Sequence, residues 1–359
     1  MAGIGIIIMK KILFLLLILV SLFACEKSGG SSKSINTDFH NYILEGYDIT
    51  SIAFDNLGNA WMGTFNAFSP GDINKPELIK HNIELNSSVI YNASNSLIKD
   101  SIYIWDIAVD NKNNVWIGCD GLIKFDGINF TKYYPGNTII PEDFITSIAV
   151  DSKDNIWFSS SRVASGGLVM YNGTNWNVYT PHNSALSMNG ISSIAVDHDD
   201  NVWLAQFGYL SEACLVKIND NTWTEYLKEE LASPPAKLRN IAINSKNRVC
   251  AVLDYTLDNP DYSIQRDQII IFDGLDSKQL ENPGFDSIKG IIVDNDDNIW
   301  CVISNINEEF RGSSLAIYDG SDWLIDSMTF RNTRIETIVQ SKDNNIWLGT
   351  ANGVYTNKH

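Results

Sequence analysis

Ser147-Ile-Ala-Val-Asp-Ser-Lys-Asp-Asn-Ile-Trp157 is the stretch that decides the fold. Ile148-Ala149-Val150 is a short apolar run, Asp151 to Asn155 is turn chemistry, and Ile156-Trp157-Phe158 starts a second apolar run. Such a pattern reads as a strand, a tight polar turn and a returning strand. The unit occurs seven times, at 51–61, 106–116, 147–157, 193–203, 240–250, 290–300 and 337–347. Its last residue is tryptophan except in the fifth copy, where it is Cys250, and the copies lie about 48 residues apart. Strand-turn-strand units at a period of roughly 40 to 50 residues indicate propeller blades rather than a helical solenoid.

The turn explains its own composition. Three residues after the leading Asp stand Gly58, Asn113, Asp154, Asp200, Asn247, Asp297 and Asn344. All are types that tolerate a positive φ, so a left-handed residue is expected there. The leading Asp accepts hydrogen bonds from turn amides, a role that Asn244 also fits. A calcium reading of Asp294-Asn-Asp-Asp-Asn298 fails, because the glycine and distant bidentate Glu of a calcium loop are missing.

A second hairpin follows in most copies, turning at Asp126-Gly127, Asn172-Gly173, Asn219-Asp220, Asp273-Gly274 and Asp319-Gly320. A last strand then carries Phe130 with Tyr133, Trp176 with Tyr179, or Trp223 with Tyr226. Four strands per repeat make one blade. The seventh copy stops after its third strand, Gly353-Val-Tyr-Thr356, while Asp38-Phe39-His-Asn-Tyr42 matches a fourth strand. Residues 38–44 are therefore expected to complete the blade of 335–356, which removes exposed strand edges. The expected fold is all-β, a seven-bladed β-propeller of four-stranded blades over about 36–359, its ring closed by the N-terminal strand. Residues 65–103 of blade one show no clear second hairpin. The repeat tryptophans are read as blade-to-blade packing, not as a sugar platform.

The formal charge of −17, with no Lys/Arg cluster, argues against nucleic acid and anionic membrane surfaces as partners. Lys10-Lys11 followed by Ile12 to Leu22 reads as a signal peptide, with Met9 as the better start site. Leu22-Phe-Ala-Cys25 resembles a lipoprotein lipobox, which implies cleavage after residue 24, lipid on Cys25 and a Gly/Ser tether over 25–35. The expected location is the cell envelope, facing the periplasm or on the outer membrane. Cys119, Cys214, Cys250 and Cys301 have no metal or redox spacing and are expected to be buried free thiols.

Loop-length variation collects on one face, formed by the two-three loops and the inter-blade links. The two-three loops are expected at 159–166, 207–212, 253–268 and 304–313, and the links at 87–103, 135–144 and 181–190. Variable loops on one rim of a rigid scaffold are where binding usually sits. On that rim, the position just before the inner strand changes from blade to blade: Thr50, Trp105, Thr146, Ser192, Arg239, Lys289 and Glu336. The loops add Arg162, Phe207, Tyr209, Tyr255, Asp258, Tyr262, Arg266, Phe310 and Arg311. Aromatics mixed with charge suit an oligosaccharide, a peptide or an envelope protein partner. The five histidines are scattered, so no catalytic residue, metal site or cofactor is expected.

The pattern I-x-x-I-A-x-D-x-x-x-N-[IV]-W-[IL]-G, followed by G-L-x-x-[FY]-[DN]-G and W-x-x-Y, resembles the two-component regulator propeller repeat; Ile104 to Gly127 is a close instance. That resemblance implies a periplasmic sensor-type propeller, often one that detects glycans, here in a stand-alone form without a kinase. A looser resemblance to streptogramin-lyase-like propellers implies, as the alternative, an extracytoplasmic lyase- or hydrolase-type enzyme using the same face. No position here matches the catalytic histidine and metal site of those lyases.

Overall fold

The computed structural model describes residues 35–65, 76–98, 103–162, 165–207, 214–226, 237–254, 266–285, 287–304, 312–326, 330 and 332–358. Cys25 and the proposed tether up to residue 34 lie outside them. Residues 38–359 form one compact unit. It contains seven antiparallel sheets of four strands each. The inner strands are Asp48–Phe54, Asp106–Val109, Ile148–Val150, Gly190–Val196, Lys237–Ile243, Ser287–Val293 and Ile335–Gln340. Each inner strand contacts the next, and the last contacts the first, so the ring is closed.

Closure is as expected from the ends of the repeat. His40–Ile43 pairs antiparallel with Gly353–Thr356, His40 opposite Thr356 and Ile43 opposite Val354. Gly353 is required at this seam: its φ is +92°, and a Cβ there would lie 2.6 Å from the Leu44 carbonyl oxygen. Trp347 packs edge-on against Tyr42 of the closing strand and Phe54 of blade one, at 5.1 and 5.4 Å between ring centroids.

Two expectations about the loops are corrected. Blade one has a regular second hairpin, Leu78–Asn82 paired with Ser87–Tyr91. Its turn runs through Ile83, Glu84, Leu85 and Asn86 and takes its positive φ at Asn86, without the Asp-Gly, Asn-Gly or Asn-Asp pair that marks this turn in blades two to six. The segment 159–166 is strand at both ends, not an open loop: Ile156–Arg162 pairs with Ser165–Tyr171 out to Arg162 opposite Ser165.

Each inner hairpin turn has the expected left-handed residue, with φ from 59° to 66° at the six Asn and Asp positions and 80° at Gly58. The leading Asp does more than cap the turn. In blade four, Asp197 Oδ1 accepts the amides of Asp199 and Asn201 at 3.0 and 2.8 Å. Its Oδ2 accepts Asn201 Nδ2 at 2.8 Å and the Trp203 indole N–H at 2.9 Å. Asp55, Asp110, Asp151 and Asp294 hold their own tryptophans in the same way. The indole can therefore be buried, worth a few kcal/mol each, without an unpaired donor. Trp203, Trp300 and Trp347 are among the largest fully buried side chains. Blade seven breaks this rule: Ser341 replaces the Asp, and the buried Trp347 Nε1 has no partner.

The left-handed residue also has a second task. Asn113, Asp154, Asp200, Asn247 and Asp297 each accept, through Oδ1, a backbone amide from the preceding blade's turn, that of Asn56, Asn111, Ser152, His198 and Ser245 at 2.8–3.0 Å. These bonds form a belt around one face of the ring. Gly58 has no side chain to continue it, and a hydrogen bond from Lys342 to Asn56 Oδ1 links blades seven and one instead.

Candidate functional site

The opposite rim is built on a repeated irregularity. In blades one, four, five, six and seven the inner ladder slips just after an aliphatic residue at its start, Ile49, Ile191, Leu238, Ile288 and Ile335. A bulge leaves a residue outside the ladder and re-aims its side chain. The residues so expelled include Thr50, Ser192, Arg239, Lys289 and Glu336, the variable position singled out in the sequence. Small hydroxyls there are tied back to the scaffold: Thr50 Oγ1 donates to Ile104 O at 2.7 Å and Ser192 Oγ to Leu238 O at 2.8 Å. Thr146 Oγ1 lies 3.1 Å from Ser159 Oγ. Lys289 and Trp105 are exposed, and Glu336 is salt-bridged to a rim arginine.

Trp105 stands at the centre of a run of aromatic rings across blades one to three. Tyr103 stacks on it with centroids 4.0 Å apart and ring planes at 21°. Phe65 follows behind Tyr103 at 4.3 Å, and Phe144 meets Trp105 edge-on at 5.3 Å. The Arg162 guanidinium lies over Phe144 at 5.2 Å. Trp105 keeps 37% of its surface exposed. Carboxylates bound both ends of this ladder. Arg162 pairs with Glu142 and Asp143 at 3.6 and 3.4 Å. Near Tyr103, Arg334 pairs with Glu336 at 2.7 Å and with Asp48 at 3.4 Å.

The electrostatics at that second end are unusual for a surface. Burial, then the neighbouring Glu336, push the Asp48 carboxyl up to about 6 against the pull of Arg334. Asp48 Oδ1 is buried with no hydrogen-bond partner. Burial, followed by Glu336 and Asp48, raises the Tyr103 hydroxyl to about 12. A buried polar atom without a partner marks a place where a ligand donor would be favourable.

Three of the residues expected at the rim, Trp105, Arg162 and Glu336, are thus parts of one surface. Arg239 belongs to a separate group in blade five, where it bonds to the buried Asp254. The nearby Asp267 is raised to about 6, chiefly by burial, with the Ile288 amide and Arg239 opposing. Phe207 ends the second strand of blade four opposite Gly190, and Arg266 precedes the third strand of blade five, exposed. Tyr209, Tyr255, Asp258, Tyr262, Phe310 and Arg311 lie outside the described residues. Among the described residues no group of His, Cys, Asp and Glu could hold a metal ion. His81 is buried edge-on to Tyr42, and His182 is exposed in the link after blade three. Cys119, Cys214, Cys250 and Cys301 are buried and free.

Sequence reading missed Asp48, Tyr103, Phe144 and Arg334. Each immediately precedes a buried isoleucine at or just before its inner strand, Ile49, Ile104, Ile145 and Ile335. The position before that aliphatic varies as freely as the position after it, and comparing both across the repeats would have found these residues.

The model of the two component regulator propeller family matches residues 139–162 and 329–352. No curated protein matches the chain. Among solved structures, streptogramin B lyase is 13% identical with a TM-score of 0.64, covering 89% of this chain and 97% of that one. The extracellular domain of the hybrid two component system BT3049 from B. thetaiotaomicron is 16% identical with a TM-score of 0.60 over 89% of this chain, which spans 40% of that protein. PorZ, a surface component of the type-IX secretion system of Porphyromonas gingivalis, is 16% identical with a TM-score of 0.62, covering 86% of this chain and 46% of that one. At these identities the likeness is one of fold. Two segments of the chain thus match the two component regulator propeller model, and its seven-bladed ring shares its fold with the extracellular domain of a two component system and with streptogramin B lyase.

Proposed function

We propose that this chain is an extracytoplasmic, lipid-anchored binding propeller that holds an oligosaccharide against the rim of blades one to three. The observation that carries this reading is the half-open Trp105 ring stacked on Tyr103, with carboxylates on either side. A sugar ring presents C–H groups to an aromatic face and hydroxyl donors to flanking carboxylates, and Asp48 Oδ1 is an acceptor without a donor. Two fold neighbours, an extracellular domain of a two component system and a bacterial surface component, support an envelope location. The lipid anchor rests on Leu22 to Cys25 alone. Glycan-array screening of the mature protein, followed by calorimetry, tests the site. Trp105→Ala is expected to weaken binding at least about ten-fold, a loss of about 1.4 kcal/mol, while the fold is retained. Capture of a peptide or protein partner with no glycan bound would replace the sugar version. Cys25→Ala is expected to release the protein from the membrane fraction.

One feature favours the alternative, a hydrolase or lyase on the same face. Asp48 and Glu336 flank Arg334, and Asp48 retains its proton to about pH 6, as a general acid requires. Asp48→Asn separates the two readings: a binding protein keeps its ligand, whereas an enzyme keeps its ligand and loses turnover.

A further inference from the structure

Blade five departs from the repeat at three adjoining places. Arg248 stands where the other six copies have asparagine, and Cys250 stands where they have tryptophan. Its last strand, Ser277–Leu280, also lacks the tyrosine that Tyr133, Tyr179 and Tyr226 supply in blades two to four. In blade four those groups fill the gap to the next blade. Trp203 stacks on Tyr226 at 5.9 Å, meets Phe272 of blade five edge-on at 6.4 Å, and is covered by Lys217 at 5.0 Å. Between blades five and six the indole and the tyrosine are both missing, and a cavity of about 410 Å³ opens on the turn face. That size is within the usual range for small-molecule sites.

Its lining has two parts. Buried Cys250, with Ile271, Ile299 and Tyr318, makes an apolar slot, and Lys278 Nζ lies 5.9 Å from the Tyr318 ring centroid. Lys246, Arg248 and Lys278 supply three cations, while Asp273, Asp276 and Asp297 also face it. Two of these carboxylates are already committed. Asp273 Oδ1 accepts the amides of Leu275 and Asp276 at 3.0 and 2.9 Å, and Asp297 accepts the amide and hydroxyl of Ser245 at 2.8 and 2.7 Å. After those hydrogen bonds, Lys246 and Arg248 also lower Asp297, and Arg248 also lowers Asp273.

We propose that this gap is a binding site for a small planar aromatic carboxylate. Its ring occupies the space that an indole fills in the other blades, against Tyr318 and Ile271, and its carboxylate lies among Lys246, Arg248 and Lys278. The site is on the face opposite the aromatic ladder and is independent of it.

The repeat itself supplies the controls. Indole-3-acetate is the probe, with tryptamine as its cationic counterpart, in calorimetric titrations of the whole protein. Indole-3-acetate is expected to bind at least about ten-fold more tightly than tryptamine. Cys250→Trp refills the slot and is expected to abolish binding, while the melting temperature stays at or above that of the wild type. Arg248→Asn restores the repeat residue and is expected to weaken indole-3-acetate about five-fold or more without weakening tryptamine. Lys278→Ala, at the cavity wall, gives the same readout if the tryptophan variant fails to fold. Absence of binding at millimolar probe, equal binding to wild type and Cys250→Trp, or tryptamine binding as tightly as indole-3-acetate would each overturn the proposal.

Discussion

Aspartates on the two faces of this ring behave in opposite ways. On the turn face, burial alone would raise Asp55, yet hydrogen bonds from Asn59, Trp61 and Leu57 outweigh it and hold its carboxyl below the usual range. The Ser152 hydroxyl and amide lower Asp200, and turn amides lower Asp273 and Asp319. On the loop face, Asp48 and Asp267 are raised to about 6, chiefly by burial, and each has a buried oxygen without a partner. A carboxylate with all its acceptor capacity filled serves the fold. One that is desolvated and left with a vacant oxygen costs stability, and such groups concentrate at sites that meet a ligand.

The largest expected effect comes from breaking the turn face. Asp197→Ala leaves the buried Trp203 Nε1, Asn201 Nδ2 and two turn amides without their acceptor. It is expected to cost about 3 kcal/mol, which chemical denaturation would read directly. A loss under about 1 kcal/mol would mean that water replaces the carboxylate in the turn.

On the loop face the sign is expected to reverse. Asp48→Asn removes a desolvated charge held by one 3.4 Å ion pair and should stabilise by about 1 kcal/mol near pH 8, with little effect below pH of about 4. The wild-type protein should show the same trend with pH. Asp48, Asp106 and Asp267 have folded pKa values of about 6, above their unfolded values near 4. Their contribution is complete below pH of about 4 and is lost as pH rises through about 6. Asp55, Asp200, Asp273 and Asp319 have lowered values, so their contribution is present above about 4 and lost as pH falls further. The melting temperature is therefore expected to peak near pH of about 4 and to fall towards pH of about 6, and a maximum above about pH 7 would contradict the contrast between the faces.

Two smaller substitutions complete what the repeat leaves unfinished. Ser341→Asp would give Trp347 Nε1 the acceptor that the other tryptophans have, for a gain of about 1 kcal/mol. Gly58→Asn would close the gap in the inter-blade belt at a site where φ is already +80° and nothing lies within 4 Å of the added Cβ. A gain of about 0.5 kcal/mol is expected in thermal unfolding.

The repeat was legible because its physical demands are local. Asp, a left-handed residue, an aliphatic and Trp at fixed spacing define a hairpin within eleven residues, as in Ser147 to Trp157. Ring closure was legible from the unpaired fourth strand. The second hairpin of blade one was not, because Asn86 supplies its left-handed turn without a glycine signal. Trp105, Arg162 and Glu336 were identifiable as variable residues at a repeated place, but not as neighbours. They lie in blades two, three and seven, and Tyr103, Phe144 and Arg334 join them into one surface.

The sequence by itself determined the number of blades, the strands of six of them, the turn geometry and the face where variation collects. Periodicity and turn chemistry act over a few residues and need no partner to be read. Only the tertiary structure decided which carboxylates are spent on turns and which remain unsatisfied, which rings stack, and that replacing Trp with Cys250 opens a cavity. Those properties depend on distances between residues 40 or more positions apart, such as Asp48 to Arg334 and Cys250 to Tyr318, which folding alone brings together.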